Sequence, residues 1–268
     1  MKLPILDLAN NEVGKISLPR QFEEDIRPDI IKRAVLAIQS HKRQIYGASE
    51  EAGKRASAKL SRRRKHYRGS YGYGISRVPR KILTRSGTRM NWVGAFAPGT
   101  VGGRRAHPPK ANKIWRKKIN YKERLKSIRS AIAATVAKDI VAERGHIIPN
   151  NYPFILDDKF ESLNKAKTII EAFSKLGMNE ELSRIAEKKV RAGKGKSRGR
   201  KYKKKKGPLI VVSQECKLRI AASNIPGIEI INVRNLSAEL LAPGGKPGRM
   251  TLWTNAAINI LEKEGLFT

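Results

Sequence analysis

Basic and aromatic side chains are the residues of this sequence with the clearest chemical potential, and they are concentrated between residues 52 and 122. That stretch holds 21 Lys or Arg and no Asp or Glu. Its aromatic residues include Tyr67, Tyr71, Tyr73, Trp92 and Trp115. Guanidinium groups bind phosphate through paired hydrogen bonds, and aromatic rings stack on exposed bases. The predicted chemistry is therefore the recognition of a polyanion, with nucleic acid as the leading candidate.

The glycines of the same stretch favour folded RNA over a regular duplex. They cluster at 69–74 and 94–105, where they let the backbone approach an irregular surface closely. Like charges repel one another and apolar residues are few, so the stretch is not expected to fold alone. Because predicted helices flank both ends, we interpret it as an internal loop that folds on RNA rather than as a disordered tail.

Six apolar side chains inside this loop leave two interpretations open. They are Ile82, Leu83, Met90, Trp92, Val93 and Phe96. They form either a small local cluster or the tip of a finger that inserts into a crevice.

Groups suited to catalysis, metal binding or nucleotide binding are sparse. The four His are scattered and, with one Cys, do not make a zinc site. Gly195-Lys196-Ser197 resembles a phosphate-binding loop, but Val190 stands where that motif requires Gly. Gly72-Tyr73-Gly74 lacks the third glycine of a dinucleotide fingerprint, because that position is Arg77. We therefore predict no enzyme, no cofactor and no metal, and a half-buried, unreactive Cys216.

The charge of the whole chain points to the same partner. The 57 Lys and Arg and 23 Asp and Glu give a net charge of +34 over 268 residues. Clustered cations neutralise phosphates and release counterions, so nucleic acid is favoured. A membrane partner is not expected, because the basic stretches are too rich in Gly for an amphipathic helix. A DNA-compacting or other nucleic-acid-binding protein is the alternative to one that binds folded RNA, although an internal Gly-rich finger is not typical of DNA compaction.

Outside the basic loop, the hydrophobic pattern predicts an α/β domain. Helical spacing runs from Pro28 to about Gln44, and again from Asn120 to about Glu143. Asn120 and Glu123 fit a capping box at the start of the second helix, Asn179 and Ser237 are expected to cap later ones, and Thr254 is expected to open the final helix. Residues 53–65 could be partly helical.

Predicted strands alternate with predicted helices through the second half of the chain. Strands are predicted at 2–8, 13–18, 154–156, 209–212, 228–233 and 250–253. The alternation indicates a three-layer α/β/α globular domain with a mostly parallel sheet. We assign residues 1–51 and 119–268 to this domain, 52–118 to the extended basic Gly-rich loop inserted in it, and 188–207 to a second basic insert.

Several segments carry a resemblance to a known family. They are SYGYGISRVPR at 70–80, GAFAPGTVGGRRAHPPK at 94–110, the step from Trp115 to Lys118, and the helix at 122–135. Over essentially its whole length the chain resembles the universal L-four family of large-subunit ribosomal proteins, in the archaeal form. Two departures are evident, since bacterial members carry a GTGRAR-like segment at the position of residues 72–77 and lack the basic insert at 188–207.

The resemblance implies a function in translation. Family members are structural constituents of the large ribosomal subunit, bind large-subunit rRNA and help assembly. Their loop lines the polypeptide exit tunnel near its constriction, beside a hairpin of the L-twenty-two family and other neighbouring ribosomal proteins, where it meets nascent peptide transiently. The expected location is the cytoplasm, in the ribosome.

Matching by motif assigns residues to two sets. The rRNA-binding set is Arg62, Arg63, Arg64, Lys65, Arg68, Tyr71, Tyr73, Arg77, Arg104, Arg105, His107, Lys110, Trp115, Arg116, Lys117 and Lys118. The tunnel-tip set is Arg80, Arg85, Arg89, Met90 and Trp92.

Overall fold

The computed structural model describes residues 1–268, and the chain divides into two units. Residues 1–42 and 116–268 form the first unit, and residues 43–115 form the second. The second unit begins at Arg43, earlier than the loop boundary predicted at residue 52. The reason is local, because Tyr46 stacks on Trp115 with ring centroids 5.3 Å apart and belongs with it.

Ten strands and eight α-helices make up the regular structure. The strands are β1 Lys2–Leu6, β2 Glu12–Ser17, β3 Arg80–Ser86, β4 Arg89–Gly94, β5 Ile155–Leu156, β6 Lys188–Val190, β7 Tyr202–Lys204, β8 Leu209–Val212, β9 Glu229–Asn232 and β10 Thr251–Thr254. The helices are α1 Pro28–Lys42, α2 Tyr121–Val136, α3 Lys138–Glu143, α4 Ala166–Lys175, α5 Asn179–Ala186, α6 Lys217–Ala222, α7 Ala238–Leu241 and α8 Asn255–Lys263.

A six-stranded sheet organises the first unit, in the order β2-β1-β5-β10-β8-β9. Only the β1–β2 pair is antiparallel, and the other four pairings are parallel. The two-residue β5 lies between β1 and β10 and bridges the N-terminal strands to the rest of the sheet. The mostly parallel sheet predicted from the alternation of elements is confirmed.

Both faces of this sheet are covered, which confirms the three-layer fold. Successive side chains of a strand point to opposite faces, and β8 divides accordingly. Leu209 and Val211 pack into a core with α1, α2 and α8. Ile210 and Val212 pack into a second core with α4 and α6. The four consecutive apolar residues of β8 are all buried, as expected for a central parallel strand.

The long helix predicted from Asn120 to Glu143 is wrong in one respect, because it breaks at Ala137. Ala137 has an extended backbone (φ −74°, ψ 104°), which separates α2 from α3. In an unbroken helix the carbonyl of Thr135 would accept from the backbone N–H of residue 139. Here it accepts instead from the buried hydroxyl of Tyr152. A contact 17 residues away along the chain therefore ends the helix.

None of the three predicted side-chain caps forms. The final helix does begin after Thr254, whose hydroxyl accepts from the backbone N–H of Ala257 and caps it. Asn120 and Ser237 precede their helices without a side-chain capping bond, and Asn179 is the first helical residue rather than the cap. Glu123 does not close a capping box, because it pairs with Arg33 at 2.9 Å.

The basic loop contains strand rather than helix. No helix forms over 53–65, which is irregular and contains two isolated β-bridges, Lys59–Arg80 and Ser61–Gly69. The predicted loop instead contains the antiparallel hairpin of β3 and β4. None of the protein's helices combines the length and apolar composition needed to cross a bilayer.

Candidate nucleic-acid interface

The β3–β4 hairpin forms because short strand segments flank a two-residue turn. Ser86 pairs with Arg89 across Gly87 and Thr88. Gly87 has φ 56°, a left-handed conformation that glycine adopts without strain. A bulge at Leu83 shifts the register between Ile82 and Thr84.

The two faces of this hairpin differ. Ile82 lies opposite Trp92, and these two side chains are half-buried, as is Met90. Leu83 and Val93 are 55% and 41% exposed. The six apolar residues of the loop therefore do not form a closed cluster, because only one face of the hairpin is covered within the unit.

Guanidinium groups lie over aromatic rings throughout the second unit. The Cζ of Arg77 is 4.5 Å from the ring centroid of Tyr71, and Arg80 is 5.5 Å from that of Trp92. Arg68 and Arg85 both lie over the Tyr67 ring, at 5.5 and 5.4 Å. A guanidinium on an aromatic face keeps its N–H edges free for a phosphate.

A second cluster of cations and aromatic rings is centred on Trp115. The Cζ of Arg43 lies 4.1 Å from the Trp115 centroid and the Nζ of Lys113 lies 5.1 Å away. An adjacent cavity of about 530 Å³ is lined by Tyr46 and by the predicted residues Arg105, His107, Lys110 and Trp115. Arg104 and Arg105 also line a neighbouring cavity of about 850 Å³. Sequence reasoning missed Arg43 and Tyr46, because they precede the acid-free stretch and belong to no basic run.

The remaining predicted residues are held on the surface. Arg62, Arg64, Arg116, Lys117 and Lys118 are exposed. The backbone of Lys117 is fixed to α1, since its N–H donates to Ser40 Oγ at 2.9 Å and its carbonyl lies 3.0 Å from His41 Nε2. The charged ends of these side chains are available to an external partner.

The structure brings members of both predicted sets into one cleft of about 860 Å³. Residues of the rRNA-binding set line it together with Arg89, Met90 and Trp92 of the tunnel-tip set. Those rRNA-set residues are Arg63, Lys65, Arg68, Tyr71 and Tyr73. Tyr67 also lines the cleft and was not predicted, although its place between two basic runs was the available signal.

None of the 21 Lys and Arg between residues 52 and 122 forms a salt bridge. Elsewhere salt bridges do form, and Glu24, for example, accepts from Arg129 at 2.8 Å. So many uncompensated cations within one segment repel each other. Their counter-charge has to come from another molecule.

The second basic insert is a hairpin that two arginine side chains attach to the α/β domain. Strands β6 and β7 pair antiparallel through Lys188–Lys204 and Val190–Tyr202. Where the insert returns to β8, Arg184 donates to the carbonyl of Lys206 at 2.8 Å and Arg249 donates to that of Gly207 at 2.9 Å. Hydrogen bonds from Arg184 and Arg249 therefore fix the end of the hairpin that carries these exposed cations.

Glu181 and Cys216 are two of the groups in the first unit whose pKa values are shifted by their surroundings. Burial opposes ionisation of Glu181, but hydrogen bonds from Arg184, His146 and the Ile147 N–H outweigh it and hold its pKa below the usual range. Burial raises the pKa of the half-buried Cys216 thiol, so it stays protonated near neutral pH. The chain has no group of three side chains positioned to hold a metal ion.

Comparison with known proteins agrees with the resemblance noted in the sequence. Residues 16–264 match the ribosomal protein L4/L1 family. The chain is 53% identical to the large ribosomal subunit protein uL4 of Nanoarchaeum equitans over the full length of both chains. It is 46% identical to the uL4 protein of Methanococcoides burtonii over 98% of both chains, and 42% identical to that of Archaeoglobus fulgidus over 97% of this chain and 98% of the other. The chain therefore belongs to the ribosomal protein L4/L1 family, in agreement with the family expected from its motifs.

Proposed function

We propose that this protein is a structural constituent of the large ribosomal subunit that binds large-subunit rRNA and helps the subunit assemble. The observation that carries the proposal is the set of 21 unpaired cations, interleaved with exposed aromatic rings, between residues 52 and 122. The relatives support the placement, because their names assign them to the large ribosomal subunit. The family is not one of enzymes, and the proposed role involves binding without catalysis.

The proposed rRNA contact uses the segments of the second unit on either side of the β3–β4 hairpin, together with residues 116–118, which follow the unit. The exposed cations of 62–65 and 116–118 neutralise phosphates, which releases counterions and makes binding strongly salt-dependent. Arg77 and Arg43, which lie over the rings of Tyr71 and Trp115, present their N–H edges to phosphates. The exposed ring of Tyr73 is available to an unpaired base.

The β3–β4 hairpin is the proposed tunnel element. Its tip includes Arg85 and Arg89, which are exposed beside the turn at Gly87. We place this tip at the polypeptide exit tunnel, next to a hairpin of the L-twenty-two family, where nascent peptide passes. The exposed apolar side chains of Leu83 and Val93 suit transient, non-specific contact with a peptide.

Compaction of DNA is the competing function, and competition binding separates the two. A labelled transcript of large-subunit rRNA is bound to the protein and displaced with unlabelled rRNA or with duplex DNA of equal length, at several salt concentrations. We expect rRNA to displace the label at lower concentration than DNA does, because the rings need unpaired bases. Equal or better displacement by duplex DNA would favour the alternative.

A further inference from the structure

The cleft between the 63–75 segment and the β3–β4 hairpin has the features of a binding site. Its volume of about 860 Å³ lies within the range of roughly 300–1,000 Å³ that is common for pockets that enclose small ligands. Tyr67, Tyr71 and Tyr73 of the 63–75 segment line it together with Met90 and Trp92 of β4. Aromatic and apolar groups from two segments of the chain therefore border a shared space.

The backbone on one side of the cleft is strained. Lys65 and Arg68 have φ values of 51° and 60°, in the left-handed region that non-glycine residues rarely adopt. Both line the cleft. Such strain concentrates at binding sites, where it holds side chains in the direction that a ligand requires. Gly72 and Gly74, with φ of 82° and 66°, flank Tyr73 and adopt the left-handed region without strain.

The charge of the cleft selects an anionic occupant. Arg63, Lys65, Arg68 and Arg89 line it and have no carboxylate partner. The Nε of Arg68 is buried and has no hydrogen-bond partner within the protein. A neutral peptide segment would leave these cations uncompensated, whereas a nucleotide brings a phosphate for the cations and a flat base for the rings.

We propose that this cleft receives one unstacked nucleotide of RNA, with its base between Tyr73 and Trp92 and its phosphate held by Lys65 and Arg68. The inference rests on the proposed RNA-binding function and makes it more specific. The proposal also assigns the two faces of the β3–β4 hairpin to different partners. Met90 and Trp92 face RNA, and the opposite face, with Leu83 and Val93, is left for nascent peptide.

The test compares two probes of equal charge. One is a fluorescent oligouridylate of twelve residues, and the other is the same ribose-phosphate chain without bases. Stacking of a base on an aromatic side chain strengthens binding of an oligonucleotide by about 10-fold. We expect full-length protein to bind the intact probe about 10-fold more tightly than the abasic probe, and Tyr73→Leu with Trp92→Leu to reduce this ratio to about one.

Matched variants distinguish loss of base stacking from a general loss of structure. Tyr73 is 72% exposed, so Tyr73→Leu alone should leave the fold intact and still lower the ratio. Tyr121, which is 71% exposed at the start of α2 and lies outside the cleft, provides the control, and Tyr121→Leu should leave the ratio unchanged. Replacement of Tyr73 and Trp92 by Phe keeps the rings and should retain the ratio.

A ratio of about one in the unmodified protein, or a ratio that survives Tyr73→Leu with Trp92→Leu, would overturn the assignment. Cross-linking of 5-iodouridine probes only to residues outside the cleft would do the same. The rRNA competition assay separates this failure from failure of the proposed function. If the cleft assignment alone fails, the unmodified protein still prefers rRNA to duplex DNA.

Discussion

At the scale of single residues, Arg249 shows how the core holds the second basic insert. It is fully buried, which is costly for a cation unless it is paired and hydrogen-bonded. It donates to Glu229 at 2.7 Å, to the Leu240 carbonyl at 2.9 Å and to the Gly207 carbonyl at 2.9 Å. Nothing in the local sequence indicates this role, because all three partners are distant along the chain.

Removal of Glu229 should destabilise the protein much more than removal of an exposed acid. Glu229→Ala leaves the buried Arg249 without its counter-charge, and breaking such a pair costs about 3 kcal/mol or more of unfolding free energy. Glu215→Ala breaks the exposed pair with Arg219 and should cost less than about 0.5 kcal/mol. Urea unfolding of both variants measures the difference. Equal losses would show that Arg249 does not depend on Glu229.

The Glu181 cluster should make the protein sensitive to acid. Arg184 donates to both Glu181 oxygens at 2.6 Å, and His146 Nδ1 lies 2.7 Å from Oε1. Because the folded-state pKa of Glu181 is lowered, its contribution is fully present above the ordinary glutamate pKa of about 4.3. It is lost as pH falls through the lower folded-state value.

Urea midpoints measured from pH 7 to pH 3 test this dependence. The unmodified protein should lose stability steeply below about pH 4.3. Glu181→Gln should be less stable at pH 7 and should lose less on acidification, because it has no proton to gain at this site. An identical pH profile for the two proteins would contradict the role of Glu181.

At the scale of elements, the strands were more predictable from sequence than the ends of the helices. The run from Leu209 to Val212 predicts β8, because a central parallel strand is apolar on both faces. The break at Ala137 depends on Tyr152, which no local pattern connects to Thr135. The β3–β4 hairpin was predictable in principle, since Gly87 lies between two short strand-like segments, but the surrounding glycines made the region resemble an irregular loop.

The β6–β7 insert should contribute measurably to RNA binding. Joining Val190 to Tyr202 by Asn-Gly keeps the last cross-strand pair and suits a two-residue hairpin turn. The change removes six cations: Arg191, Lys194, Lys196, Arg198, Arg200 and Lys201. If they contact phosphates, the slope of log K against log salt for rRNA should become shallower by between about 1 and 4.

Charge and length are separated by a second variant of the insert. Replacing the same six residues by Gln keeps the full length and should reproduce the shallower slope. An unchanged slope in both variants would remove the insert from the RNA interface.

At the scale of the whole molecule, the two units differ in how their charges are balanced. The first unit has two hydrophobic cores and contains all 15 salt bridges of the chain, whereas the second contains none. The cores follow from hydrophobic periodicity, so the α/β fold was predictable. The cleft of the second unit was not, because it joins residues 63–75 to Met90 and Trp92 through tertiary structure alone.

This difference predicts a selective sensitivity to proteases. Limited trypsin digestion of the free protein should cleave rapidly within 54–118, because the exposed cations there repel one another and few apolar contacts hold the segment. The first unit outside its exposed 188–207 insert should resist, and large-subunit rRNA should protect the 54–118 sites. Cleavage spread evenly over both units, with no protection by rRNA, would contradict the proposed division.

The most direct test of the central claim is a cryo-EM map of the large ribosomal subunit that contains this chain. The claim is that residues 43–115 bind rRNA and carry the β3–β4 hairpin to the exit tunnel. The map should show this unit enclosed by rRNA, with Gly87 at the tunnel wall and Leu83 and Val93 facing the lumen. A unit that lies on the solvent side, or a hairpin tip remote from the tunnel, would contradict the account.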